Sequence, residues 1–196
     1  MRDRARGCQA ADQATACGRD GIYTGFVTIS SDVLRLHLDY SRWASARLLE
    51  AAASLSEADL RRDFGTADKS VIGTLTHVYR GDWIWLARVR GDAPLSLPAG
   101  EYPDLASLAR EWQTVSEGWL DWARPQADAD FLREISYHDL KGNPWTTPLW
   151  QVVLHVVNHA THHRGQAAGF LRAMGKTPPP LDLIAYYRSL GQAAAG

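Results

Sequence analysis

Apolar residues recur at helical spacing through most of the chain. Val33, Leu36, Tyr40, Trp43 and Arg47 follow one another at intervals of three and four. That spacing predicts an amphipathic helix from about Asp32 to Leu55, with Asp32 as its cap. A polar stretch, Ser56 to Lys69, separates it from a second segment, Ser70 to Arg90, stopped by Gly91 and Pro94. Leu95 to Pro103 reads as a loop. The third segment, Asp104 to Arg124, carries Leu105, Leu108, Trp112, Val115 and Trp119 on one face and ends before Pro125. Between Phe131 and Thr147 the period changes. Leu132, Ile135 and Tyr137 precede the turn-like Lys141-Gly142-Asn143-Pro144, which predicts a short hairpin or an extended loop. The fourth segment takes Thr147 as cap and Pro148 as first helical residue. It runs to about Met174, stopping at Gly175 ahead of Pro178 to Pro180. A short last helix is expected over Leu181 to Leu190. Four long amphipathic segments with short breaks predict an all-α four-helix bundle.

Composition narrows the function classes. Hydrophobic residues make up 45% and charged residues 22% of the 196, so the body can build an ordinary core. Basic and acidic side chains number 21 and 22. That balance leaves no excess of positive charge, so no nucleic-acid partner is expected. No apolar run is long enough to span a bilayer, so no membrane partner is expected either. Residues 1–26 hold almost no large apolar side chains and are expected to be a disordered extension, with 27–196 as the folded domain. The extension lacks the apolar stretch of a signal peptide, which places the protein in the cytoplasm. Cys8 and Cys17 both fall in it, so no disulfide framework is expected.

The candidate chemistry lies in the fourth segment, in HVVNHATHHRGQ. His155, His159 and His163 drift along one stripe by about 40° per step, Gln166 continues it, and His162 sits at its edge. The neighbouring stripe of Val152, Val153, Val156, Ala160, Ala167 and Leu171 is the core side, so the imidazoles border the bundle interior. Two imidazoles four residues apart can converge on one metal, but a third ligand must come from elsewhere. Of His37, His77 and His138, His77 shares an inward stripe with Gly73, Thr74, Ile84 and Trp85 and is the best third ligand. The plainer alternative is a set of hydrogen-bonded core or surface histidines. Against it, each buried imidazole without a partner costs about 1–3 kcal/mol, and one ion satisfies several at once.

Tyr137, His138, Asp82 and His155 are candidates for proton transfer, each with a structural role as the plainer alternative, and His155 is also placed to orient His159. Arg164 points about 140° away from His159 and is expected to bridge to another helix or subunit. Gly165 is expected to permit a close helix approach, and the Trp residues read as core.

The stretches GTLTHVYRGDWIWLARVRG (Gly73 to Gly91), PLWQVVLHVVNHATHHRGQ (Pro148 to Gln166) and PPPLDLIAYYR (Pro178 to Arg188) resemble the DinB/YfiT-like metalloenzyme family, the damage-inducible proteins unrelated to the similarly named DNA polymerase. The resemblance covers about four-fifths of the chain, Asp32 to Ser189, with NHxxxHRGQ its most specific part. It implies an up-up-down-down bundle, commonly a homodimer, whose metal is held by one His of the second helix and the HxxxH pair of the fourth. Carried over, these are His77, His159 and His163. The ion in the family is usually nickel or zinc, and related members are transferases and isomerases that use a low-molecular-weight thiol. Thr76 stands where members often have Asn. The expectation is therefore a metal-dependent enzyme that activates a small thiol or water for transfer, isomerisation or hydrolysis of a small-molecule substrate, with Tyr137, His155 and Gln166 around the metal. Its rival is a non-catalytic metal-binding stress protein.

Overall fold

A computed structural model of the chain describes residues 28–98, 102 and 104–193. The expected disordered extension and both cysteines lie outside the described residues. Four long helices form the body: α1 (Ser31–Ala52), α3 (Val71–Val89), α4 (Leu105–Ala123) and α6 (Leu149–Ala173). Two single-turn helices, α2 (Glu57–Leu60) and α5 (Asp128–Phe131), lie in the connections. The hairpin β1 (Glu134–His138) with β2 (Pro144–Pro148) precedes α6, and a short α7 (Leu183–Ala193) follows it. This is the all-α bundle the periodicity predicts, and the segment from 131 to 147 resolves as a hairpin rather than a loop.

Its ends obey local chemistry, with two departures from the sequence reading. The cap of α1 is Ser30, whose hydroxyl accepts from the Val33 amide. Asp32 instead lies inside the first turn, paired to Arg35 at 2.7 Å. Thr147 does not cap α6 but lies within β2, whose last residue, Pro148, is the one before the helix. The strand runs straight into the helix, so the Leu149 amide donates to the Arg133 carbonyl at 2.9 Å and chain pairing holds the first turn. Ser70 caps α3 and Asp104 caps α4, each through its side chain.

The core is one cluster of side chains from all four long helices, including Leu48, Ile72, Leu75, Leu108, Trp112, Val153 and Leu171. Each such large apolar side chain contributes about 1.5–3 kcal/mol on burial. Trp112 and Trp119 are buried as expected, but Trp145 is 55% exposed and stands on the hairpin. Tyr186 of α7 donates to Asp39 at 2.6 Å and Tyr40 donates to the Leu181 carbonyl at 2.9 Å, which ties the C-terminal segment to α1.

Residue pairs fix the helix directions, and these differ from the expected up-up-down-down. Arg35 reaches the Ala123 carbonyl while Leu49 and Ala109 line one surface cleft, so α1 and α4 are antiparallel. Asp82 meets Trp112 and Arg90 meets Gly118, so α3 and α4 are parallel. His77 meets His163 and Trp85 meets His155, so α3 and α6 are antiparallel. The order is up-down-down-up. The physical reason is the long connection between α3 and α4, where Tyr102 packs edge-on against Tyr79 midway along α3 and its carbonyl accepts from Arg61, which precedes α3. The chain has returned the length of the bundle before α4 begins. No helix among the described residues is long and apolar enough to cross a membrane.

Candidate metal centre

The antiparallel contact of α3 with α6 brings the histidines together. His77 and His159 place their Nε2 atoms 3.0 Å apart. Ring centroids stand 4.3 Å apart for His77 and His163 and 4.6 Å apart for His159 and His163. One nitrogen from each of the three lies within 4.8 Å of the other two. Nitrogens about 2.0–2.1 Å from one zinc at a tetrahedral angle are separated by roughly 3.3 Å, so this donor set fits a shared divalent ion.

A glycine makes the approach possible. A Cβ on Gly81 would lie 2.9 Å from Cε1 of His159, so any side chain there would push the ring aside. Gly165, expected to serve helix approach, has nothing within 4 Å of such a Cβ. The close-packing glycine is therefore on α3, facing the imidazole, and not on α6.

The site has an acidic member that periodicity did not reveal. Asp68 lies in the turn before α3, with Oδ1 3.4 Å from Nδ1 of His77 and Oδ2 3.8 Å from Nδ1 of His163. That turn is closed locally. The Phe64 amide donates to the Lys69 carbonyl, Gly65 and Lys69 take left-handed φ values of 71° and 60°, and Phe64 stacks on Phe170 of α6 at 4.3 Å. Gly73 leaves room for the Asp68 carbonyl, which a Cβ there would strike at 2.0 Å. Gln166 completes the outer ring, with Oε1 2.8 Å from Nδ1 of His163 and its amide nitrogen 3.3 Å from Nε2 of His162. With Asp68 and Gln166 facing the Nδ1 atoms, the Nε2 atoms of His77 and His163 are left for a metal.

Electrostatics favours the neutral imidazoles that coordination requires. Burial, reinforced by the neighbouring histidines, pushes His159 down to about 4. His77 is also held below its ordinary value, by burial first, with Asp68 pulling the other way. Burial lowers His155 too.

The remaining candidates sit further out. The His155 ring lies 5.8 Å from that of His159 and edge-on to Trp85 at 5.4 Å. Tyr137 is separated from the triad by Trp85, which it meets edge-on at 4.9 Å, and its hydroxyl lies 3.3 Å from Thr147 Oγ1. His138 is exposed at the end of β1, and His37 bonds its own helix through the Val33 carbonyl. Asp82 turns into the core, where it accepts from Trp112 Nε1 at 2.7 Å. Arg164 is buried and reaches α1, but it donates to neutral oxygens of Ser41 and Ser45 and to Thr161 rather than to a carboxylate.

A cavity of about 670 Å³ opens beside the triad, walled by His77, His159, Trp85, Leu97 and the hairpin residues Leu140 and Trp145. A groove of about 760 Å³ lies elsewhere on α6, against α1 and the prolines 178–180, and holds no member of the triad.

Comparison with known proteins bears on the family and the fold. The model of the DinB family matches residues 30–193. Protein DinB of Bacillus subtilis is 22% identical over 154 residues, covering 76% of this chain and 90% of that protein. The crystal structure of a DinB-like protein from Bacillus cereus superimposes with a TM-score of 0.56 at 18% identity, covering 74% of this chain and 94% of that one.

Proposed function

The chain belongs to the DinB family, and on that premise we propose that it is a metal-dependent enzyme whose ion is held by His77, His159 and His163. The observation that carries the reading is the convergence of three imidazoles from two helices at the wall of a cavity wide enough for a small molecule. Three protein ligands leave a coordination position open, whereas structural zinc sites are closed by four. A divalent ion so held, nickel or zinc by the family resemblance, brings a bound water to a pKa of about 7 or keeps a thiol ionised.

The chain's own residues prepare the site in three ways. Burial keeps His159 neutral. Asp68 and Gln166 face the outer nitrogens of His77 and His163 and hold the rings in orientation. Trp85, Leu97 and Trp145 wall the cavity with apolar surface, which excludes water from one side of a bound substrate. The reaction class is transfer, isomerisation or hydrolysis on a small electrophilic substrate, with an external low-molecular-weight thiol or water as nucleophile. The family resemblance further implies a homodimer, which light scattering on the purified protein checks, and we place it in the cytoplasm, which fractionation of the source cells checks.

Elemental analysis of natively purified protein is the direct test, beside His77→Ala and His163→Ala variants. About one ion per chain in the wild type and none in either folded variant is the expected result. The non-catalytic rival is separated by loading cobalt and adding 2-mercaptoethanol. A new sulfur-to-cobalt absorption band supports an open position, and an unchanged spectrum favours a closed, non-catalytic site.

A further inference from the structure

Arg88 is a buried cation at the far end of the same cavity. It is 8% exposed, and among the described residues its only hydrogen bond is from Nη2 to the His138 carbonyl at 2.9 Å. Its guanidinium carbon lies 4.7 Å from the ring centroid of Trp85 and 4.7 Å from that of Tyr137. Nε is buried without a partner. Fixing α3 to the hairpin needs only the bond to His138 and the two stacked rings. Among the described residues no protein group takes its Nε or Nη1, and a guanidinium largely buried without a directly paired carboxylate is costly.

Asp139 is the nearest negative charge and favours the charged guanidinium from a distance, but its oxygens are committed elsewhere. Asp139 accepts from the Lys141 and Asn143 amides, from Asn143 Nδ2 and from Trp145 Nε1, so its carboxylate is engaged in the hairpin turn. Asp68 is turned toward His77 and His163. Arg80 and Lys141 add positive charge to the wall, and Ile84, Leu97 and Leu140 add apolar surface. His77 and Arg88 stand roughly 16 Å apart along the axis of α3, and the Arg88 side chain leans back over Trp85 toward the triad.

We propose that Arg88 is an anion anchor, so that the molecule taken by this cavity is a small organic carboxylate with an apolar body, bound with its carboxylate on Arg88 and its other end toward His77 and His159. The inference rests on the reading of the cavity as the substrate site, but not on the metal being present. A planar guanidinium matches a carboxylate through two parallel N–H bonds, a pairing that the stacked rings beneath Arg88 hold ready. The ligand then replaces the hydration that burial has removed.

The test compares 3-phenylpropanoate with its neutral isostere 3-phenylpropanamide by calorimetry, on zinc-loaded and zinc-free protein. The carboxylate is expected to bind at least about tenfold more tightly in both forms. Arg88→Met, which keeps the apolar stem between the rings, is expected to bring the two ligands within about twofold, and Arg88→Lys to restore only part of the difference. Equal binding of acid and amide to the wild type overturns the proposal without recourse to any variant and leaves Arg88 a clamp for the hairpin. A preference seen only with zinc, and retained in Arg88→Met, overturns it too while leaving the metal reading intact. An Arg88-dependent preference in protein that takes up no zinc upholds the anchor and removes the metal.

Discussion

Asp68 faces His77 across 3.4 Å, carboxylate to Nδ1, although the two belong to different elements and only the turn before α3 brings them together. A carboxylate behind a ligating imidazole fixes the ring's tautomer and makes its other nitrogen a better donor. Asp68→Asn keeps the shape and removes the charge. The expected outcome is about a 10–100-fold loss of metal affinity with little change in melting temperature of the metal-free protein, measured by competition with a chromogenic chelator. Unchanged affinity would make Asp68 a turn residue only.

How much of this was legible beforehand depends on the range of the interaction. The stripe of His155, His159 and His163 is written in one helix, and the inward stripe of α3 singled out His77, so spacing alone brought the triad within reach. Asp68 carries no such mark. It is one acidic residue in a polar stretch, placed by the Phe64–Phe170 stack and a left-handed Lys69. Gly81 and Gly165 look alike in sequence, and only the packing of α3 on α6 tells which one faces an imidazole. The expected helix directions follow from the resemblance alone, and two of them, those of α3 and α6 relative to α1, are reversed in the structure because the long run of chain between Val89 and Leu105 leaves α3 and α4 parallel.

That difference between the glycines gives substitutions of opposite effect. Gly165→Ala adds a methyl in open space on a helix and is expected to stabilise the protein by up to about 1 kcal/mol. Gly81→Ala must displace the His159 ring and is expected to weaken metal binding by at least about tenfold while the fold survives. Thermal melts and chelator competition on both variants measure this. Equal metal affinity in Gly81→Ala and the wild type would show that the ring yields without cost to the site.

Because the triad joins α3 to α6, metal should act as a cross-link between the two helices. A ligand that binds only the folded state stabilises it by about 2.7 kcal/mol at a free concentration of a hundred times Kd. Zinc or nickel is therefore expected to raise the melting temperature of the wild type by several degrees, and EDTA to reverse it. His77→Ala, which leaves the HxxxH pair on α6 alone, is expected to show almost no metal-dependent shift. A full shift in that variant would remove His77 from the ligand set.

Two buried groups pull the pH dependence of the metal-free protein in opposite directions. The unfolded chain takes up the His159 proton near pH 6.5, while burial and the neighbouring histidines delay protonation in the folded chain to about pH 4. His159 therefore supports folding fully above pH 6.5, and that support is lost as pH falls through about 4. Asp82 behaves inversely. Burial raises it from 3.8 to about 7, against the opposing pull of Trp112 and Arg164. Between those values the folded chain holds a proton that the unfolded chain has released, so this contribution falls as pH rises. Among the described residues its Oδ1 has no hydrogen-bond partner, as suits a carboxyl kept neutral beside Trp112. Urea midpoints measured from pH 4 to 7 with EDTA present separate the two. Asp82→Asn is expected to make stability climb more steeply with pH than in the wild type, because the opposing slope of Asp82 is removed, and His159→Gln is expected to flatten the climb. Parallel profiles for Asp82→Asn and the wild type would mean that Asp82 is ionised throughout that range.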